Sequence, residues 1–426
     1  MMKTILWLCN RPIEENADKR DGTWFTAMAR GISESSEIKL AVIAQSEVKT
    51  VSLCNFKNII QWVVPIDPLD RIGLPPRRTV EAIKRIVNEI KPDLIHIWGT
   101  ENYWGLLTAR GILPWPAVLE IQGIKYVYAR TYYGGLTLTE LIRCIGPVEI
   151  MRPSAALFFG KRRFEHWGKF EKEMIIKNKN ISTQSDWVRT HIKTLKPDCF
   201  LFETGMMLRK EFFDAKPWTP PMKQNKEAPV IFMSSSGAVA YKGLHILMRA
   251  IAILKNKYPE IVLSVGGDII KKGIRKSGYS RWLQSEARRL AITDNIHWLG
   301  PLDAAEIVQQ YHKASAVVVP SFVETYSLAM AEAMVVGVPV VASYAGAMPE
   351  LANNGYSALF FPSGDEAACA WQLDRILNDQ KLSIFLSQNA RRTGISRNNP
   401  HNVLERQIKI YNAILSNKTN LIDKGN

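Results

Sequence analysis

The chain has 426 residues, room for two domains of ordinary size. A hydrophobic share of 46% supplies two cores, and a charged share of 22% argues against a disordered chain. The net charge of +15 and a pI of about 9.5 favour anionic partners, but no nucleic-acid motif accompanies them, so nucleic acid is not expected as a partner.

The opening run MMKTILWLCN reads as a first strand: its apolar stretch is too short for a signal peptide and a polar turn follows. Short apolar strands then alternate with longer amphipathic stretches. Strands are expected at Thr4 to Cys9, Ile38 to Ile43, Ile59 to Val64, Asp93 to Trp98, Ala117 to Ile121, Ile181 to Thr183 and Phe200 to Phe202. Helical spacing is clear in TVEAIKRIVNEI, from Thr79 to Ile90. The alternation predicts α/β layers with parallel sheets.

The stretch 125–179 differs from its surroundings. It holds eleven Lys/Arg against five Glu, interleaved with Tyr126, Tyr128, Tyr132, Tyr133, Phe158, Phe159, Phe164, Trp167 and Phe170. Such a mixture suits an anionic membrane surface, a sugar-acceptor cleft, or a packed helical insertion with a basic rim. The prolines and charges of 216–229 break both periods and mark a linker. The expected division is a first domain at 1–215, a second at 230–398, and a terminal helix and tail at 399–426. Five scattered cysteines form no metal or redox motif and point to a reducing compartment. No run of about 20 apolar residues occurs.

The most informative segment is VVVPSFVETYSLAMAEAMVVGVPVVASYAGAMPEL, from Val317 to Leu351. It reads as a buried strand, a turn with Glu324, a helix carrying Glu332, and a second buried strand. Thr325 or Ser327 is placed to cap the helix, whose N–H groups then point back toward Glu324. A carboxylate among Ala331, Ala333 and Met334 needs a partner. A hydroxyl-rich ligand would supply one; a cap role for Glu324 and an ion pair for Glu332 would also satisfy the two acids.

This segment resembles the donor site of the family 4 retaining glycosyltransferases, which have the GT-B fold of two Rossmann-like domains facing across a cleft. Glu324, Glu332, Ala333, Met334, Gly337, Pro339 and Val340 match the signature, and Gly346, Pro349, Glu350 and Gly355 continue it. Upstream, AYKGLHILMRAIAILK, IVLSVGGD and NIHWLG extend the likeness. The resemblance implies that Lys242 reaches the donor diphosphate, Glu324 faces the sugar hydroxyls and Glu332 holds the ribose. It implies further donor contacts from Gly237, Gly266, Gly267, Leu299, Ser321, Tyr326, Ser327 and Leu328, and from Gly22 and Thr23 of the first domain. His96 and Gln122 stand where first-domain groups lie near the reacting sugar.

Three departures stand out. The loop Ser234 to Ala240 lacks the family's arginine, and Arg275 and Lys276 are candidates to replace its charge. A Phe-Gly pair is replaced by Tyr326-Ser327, and a histidine is replaced by Gln122, which takes no proton at neutral pH. The implied activity is transfer of a hexose from a UDP- or GDP-linked donor to a glycan or lipid-linked acceptor, in surface polysaccharide assembly. No Asp-x-Asp occurs, so neither metal nor cofactor is expected. The expected location is cytoplasmic, peripheral to the inner membrane face. A nucleotide-sugar epimerase or hydrolase, or a non-catalytic binding subunit, are the alternatives.

Overall fold

Two parallel sheets organise the chain, whose computed structural model describes residues 2–14, 23–221, 228–269 and 277–416. The first sheet contains β1 (Lys3–Cys9), β2 (Ile38–Ser46), β3 (Ser52–Phe56), β4 (Ile59–Pro65), β5 (Leu94–Trp98), β6 (Ala117–Glu120), β7 (Asn180–Thr183) and β8 (Phe200–Glu203). Its order is β3-β4-β2-β1-β5-β6-β7-β8. Helices cover both faces, so the inner strands are apolar without alternation: all five residues of β5 are buried. Leu8 pairs with Ile43 on one side and Ile97 on the other.

The strand of this first sheet missing from the sequence expectation is β3. It runs antiparallel to β4 at the sheet edge, and four of its five residues are exposed. An edge strand facing water needs no apolar run, so it leaves no such signal.

The second sheet holds β9 (Val230–Gly237), β10 (Val262–Asp268), β11 (Ile296–Gly300), β12 (Ala316–Val319), β13 (Val340–Ser343) and β14 (Leu359–Phe361), in the order β11-β10-β9-β12-β13-β14. The chain builds outward from β9 in one direction and then restarts beside it with β12. The carboxyl ends of β9 and β12 therefore flank a topological switch point, where a crevice opens in sheets of this kind.

The chain crosses between the two bodies twice. Met206, Leu208, Phe212 and Trp218 pack in the core of the second body, so the first crossing follows β8 directly, earlier than the expected end of the first domain at 215. At the other end, the helix Pro400–Leu415 returns. Its Val403, Ile410, Tyr411 and Ile414 bury against Ile5, Trp7 and Met28 of the first body.

The stretch 125–179 folds into short helices ahead of the long helix Leu157–Lys177. Most of its aromatic side chains face inward. Tyr132 packs on Phe164 and Tyr241, Tyr128 on Tyr241, and Trp167 on Phe170. Of the nine singled out from sequence, Phe158 and Phe159 are the exposed ones.

Candidate active site at the sheet switch point

The loop after β9 turns through Ala240–Lys242 into the helix Leu244–Lys255. Gly243 makes this turn with φ of 73°, and a Cβ there would lie 2.0 Å from the Pro320 carbonyl oxygen. Only glycine allows the Lys242 turn to press so closely on the loop after β12. Across that contact, Lys242 Nζ lies 2.8 Å from Glu324 Oε1, and Ser321 Oγ donates to the same oxygen at 2.7 Å. Ser343 in turn donates to the Ser321 carbonyl. Gly346 closes the other side, where a Cβ would lie 2.0 Å from the Glu324 carbonyl oxygen. Lys242, Ser321 and Glu324, named from sequence, are thus in contact.

Glu332 lies in the helix Leu328–Val336, buried, with Arg209 Nη2 3.3 Å from its Oε1. Burial pushes the Glu332 carboxyl above the usual carboxylate range, and the Arg209 guanidinium pulls against that shift. Arg209 comes from the crossing segment and carries no motif. Ser327 caps the helix, its Oγ accepting from the Met330 N–H at 3.4 Å. Its φ is 87°, a left-handed conformation that costs a non-glycine residue energy, and it occupies the place of the glycine in the Phe-Gly pair. Leu328 is the first helical residue. Gly237, Gly266, Gly267 and Leu299 lie along the ends of the neighbouring strands β9, β10 and β11.

Tyr326 is expected at the donor through its backbone N–H, and its side chain has a separate role. Its hydroxyl accepts from Asn398 Nδ2 at 2.6 Å and from Arg397 Nε at 3.3 Å, while Asn398 also donates to the Met206 carbonyl. The phenol ties the two crossings together.

Gln122 meets the second body directly: its backbone carbonyl accepts from the Thr325 hydroxyl at 2.5 Å. The Tyr128 hydroxyl accepts from the Thr325 N–H at 3.1 Å, and Ser185 Oγ donates to the Thr325 carbonyl at 2.9 Å. Burial and the Glu324 charge both push the Tyr128 and Tyr241 phenols upward. Glu350 reaches over to accept the Asp186 and Trp187 N–H groups, each at 2.7 Å, at the start of the helix Asp186–Leu195. The two edges are therefore bridged at the residue next to Glu324.

His96 is a correction. It is fully enclosed in β5, with Nε2 3.1 Å from Glu120 Oε2 and Nδ1 2.7 Å from the Tyr411 hydroxyl. Its ring stacks on Trp98 at 4.2 Å, and the Trp7 indole donates to Tyr411. With both nitrogens engaged in the core, His96 has no path to a sugar; it anchors the returning helix. Gly22, Arg275 and Lys276 lie outside the described residues, and Thr23 opens the helix Thr23–Ser33.

Residues 219–393 match the family model for glycosyl transferases group 1. The second domain belongs to the group 1 glycosyl transferases. The D-inositol 3-phosphate glycosyltransferase of Corynebacterium kroppenstedtii is 31% identical over 151 residues, 35% of this chain and 33% of that protein. The same enzyme of Corynebacterium urealyticum is 30% identical over 175 residues, 41% of this chain and 40% of that one. The chain spans between a third and two-fifths of the length of these relatives. Among solved structures, sucrose-phosphate synthase from Thermosynechococcus elongatus superposes with a TM-score of 0.73 at 15% identity, covering 97% of this chain and 100% of that one. Anabaena HepE in complex with UDP and glucose gives 0.68 at 16% identity, with the same coverage. These likenesses and the two parallel-sheet bodies establish the GT-B fold. They leave the group 1 domain's donor and acceptor to the chemistry of the site.

Proposed function

We propose that this protein is a retaining glycosyltransferase that moves a hexose from a nucleotide-diphosphate sugar to a glycan or lipid-linked acceptor. The observation that carries the reading is the contact of Lys242, Ser321 and Glu324 at the switch point of a group 1 domain, one residue from the Thr325 bridge to Gln122. Lys242 supplies a cation for the diphosphate, whose charge grows as the glycosidic bond breaks. Glu324 accepts hydrogen bonds from sugar hydroxyls, and Ser321 holds its carboxylate in place. Glu332, fixed by Arg209, accepts from the ribose. The N–H groups at the start of the helix Leu328–Val336 add a partial positive charge beside the phosphates.

The first-domain wall offers Gln122, which orients a hydroxyl but removes no proton. That composition suits a reaction on one face of the sugar, in which the departing diphosphate takes the acceptor's proton. Positioning and charge stabilisation then do most of the catalysis. A UDP-linked glucose is the first donor to try, since structures of HepE hold UDP with glucose and UDP-glucose. Metal independence rests on the absence of an Asp-x-Asp in the sequence. Surface polysaccharide assembly at the inner membrane face is the corresponding cellular role.

The deciding experiment is a thermal-shift screen with UDP, GDP, ADP and their sugar conjugates. A nucleotide at a hundred times its dissociation constant stabilises by about 2.7 kcal/mol. The expected result is stabilisation by one nucleotide, with or without EDTA, lost in Lys242→Ala. Equal shifts in parent and variant overturn the site assignment. Turnover abolished by EDTA and restored by a divalent ion overturns metal independence.

A further inference from the structure

Seven of the twenty exposed large apolar side chains among the described residues lie in the single stretch 138–159. Leu138, Ile142 and Ile145 come from the helix Leu138–Arg143 and its exit, Ile150 and Met151 from the helix Pro147–Met151, and Phe158 and Phe159 from the start of the long helix. Ile150 and Met151 are 71% and 74% exposed. Ordinary surfaces scatter such residues singly, and a concentration of them marks an interaction site.

The same stretch sorts its charges by direction. Glu140 binds Arg249, and Glu149 accepts the Gly278 N–H at 2.7 Å and binds Arg281, so both acids are spent on the second body. Leu136 and Cys144 are buried in that body's core, and Leu141 and Leu157 pack against it. Arg143, Arg152, Arg162 and Arg163, interspersed along the chain with the apolar residues, are left exposed. The Arg162 guanidinium lies 4.5 Å from the Phe158 ring centre, so its charge sits over an exposed apolar group. The acids hold the segment in place, while its arginines and its aliphatic residues both stay exposed.

We propose that residues 138–163 form a docking face for an anionic phospholipid bilayer. The sign of the outward charge matches an acidic leaflet. Five of the seven apolar side chains are flexible aliphatic or thioether groups, which enter acyl chains without needing partner-shaped pockets. Because the segment belongs to the first body by sequence but is fastened to the second by Glu140, Glu149 and Cys144, the bilayer contacts the clasp between the two walls of the cleft. The face deepens the proposed function, on whose lipid-linked acceptor it rests for its purpose, and it differs from the aromatic surface that the sequence suggested.

The test is co-sedimentation of the full chain with vesicles of phosphatidylcholine alone and of phosphatidylcholine mixed with phosphatidylglycerol. Binding is expected to the mixed vesicles alone and to weaken with salt. Arg143→Gln combined with Arg162→Gln should lower the partition coefficient roughly thirtyfold. Ile150→Ser combined with Met151→Ser should also reduce it, with no change in melting temperature, because both side chains are exposed. Absence of parent binding overturns the proposal. So does equal binding of parent and variants, or a dimer in solution that the same substitutions dissolve, which would assign the face to a second copy of the chain. The UDP thermal shift, measured without vesicles, fails or succeeds independently and so separates this inference from the donor-site reading.

Discussion

The two sheets both carry polar side chains in or just after their strands, but they use them in opposite ways. At the second sheet, Lys242 and Glu324 meet across the loops after β9 and β12, and the lysine side chain keeps 27% of its surface open. At the first sheet, His96, Glu120 and Tyr411 close on one another with no exposure at the imidazole. A polar residue in or just after a parallel strand is a candidate for chemistry in either case. What separates the two is whether another element covers it. The returning helix brings Tyr411 and seals the first edge around His96, whereas the second edge is left facing Gln122.

The strongest way to break this contrast is to remove the sealed histidine. His96→Ala leaves the buried Glu120 with a donor missing and takes from the Tyr411 hydroxyl one of its two partners, the Trp7 indole remaining. The expected loss is about 3–5 kcal/mol by urea unfolding, with little change in turnover per folded molecule. A stable variant with abolished turnover would return His96 to the catalytic set. At the open edge, Lys242→Ala should lower kcat/KM roughly 100- to 1000-fold while the fold survives. A change below threefold would show that Lys242 does not face the leaving group.

The sealed side also makes a prediction in pH. Glu171 accepts from the Thr100 hydroxyl at 2.7 Å and the Tyr126 N–H at 3.0 Å, yet burial raises its pKa to about 7. The folded chain then holds a proton that the unfolded chain has released. Stability present below the ordinary carboxylate pKa is therefore lost as pH rises toward about 7. Glu171→Gln should flatten that slope, so that variant and parent differ by roughly 3 kcal/mol more at alkaline than at acidic pH. Parallel pH profiles would remove the assignment. The smallest effect is expected at Ser327. Glycine there relieves the left-handed strain and gives up a weak cap, for a net gain of about 1 kcal/mol. A lower melting temperature in Ser327→Gly would mean that the serine cap outweighs the strain.

Much of the fold was legible because its signals are local. Apolar runs such as Val317 to Val319 and Leu94 to Trp98 have little choice but to be strands covered on both faces. The helix from Arg77 to Ile90 shows its period directly, starting two residues before the expected Thr79. Edge strand β3 did not show, because exposure on both sides removes the apolar pattern. The edge of the second sheet was legible for a related reason: Ser321, Glu324, Ser327 and Glu332 lie on one turn and one helix, so their spacing carries their arrangement. Tyr326 sits in the same turn, yet its phenol is held by Asn398 from outside it.

The sequence by itself determined the two parallel-sheet bodies, the switch-point turn and the residue types that meet in it. Strand burial, helix capping and glycine turns act over a few residues, and the order of residues records them. Only the tertiary structure decided which polar groups are spent inside. Arg209 reaches Glu332 over 123 positions, and Tyr411 reaches His96 over 315. Glu140 and Glu149 turn inward to Arg249 and Arg281, leaving the arginines of 143–163 outside. Such pairings depend on which surfaces the packing of whole elements brings within hydrogen-bond distance, and no spacing along the chain encodes that.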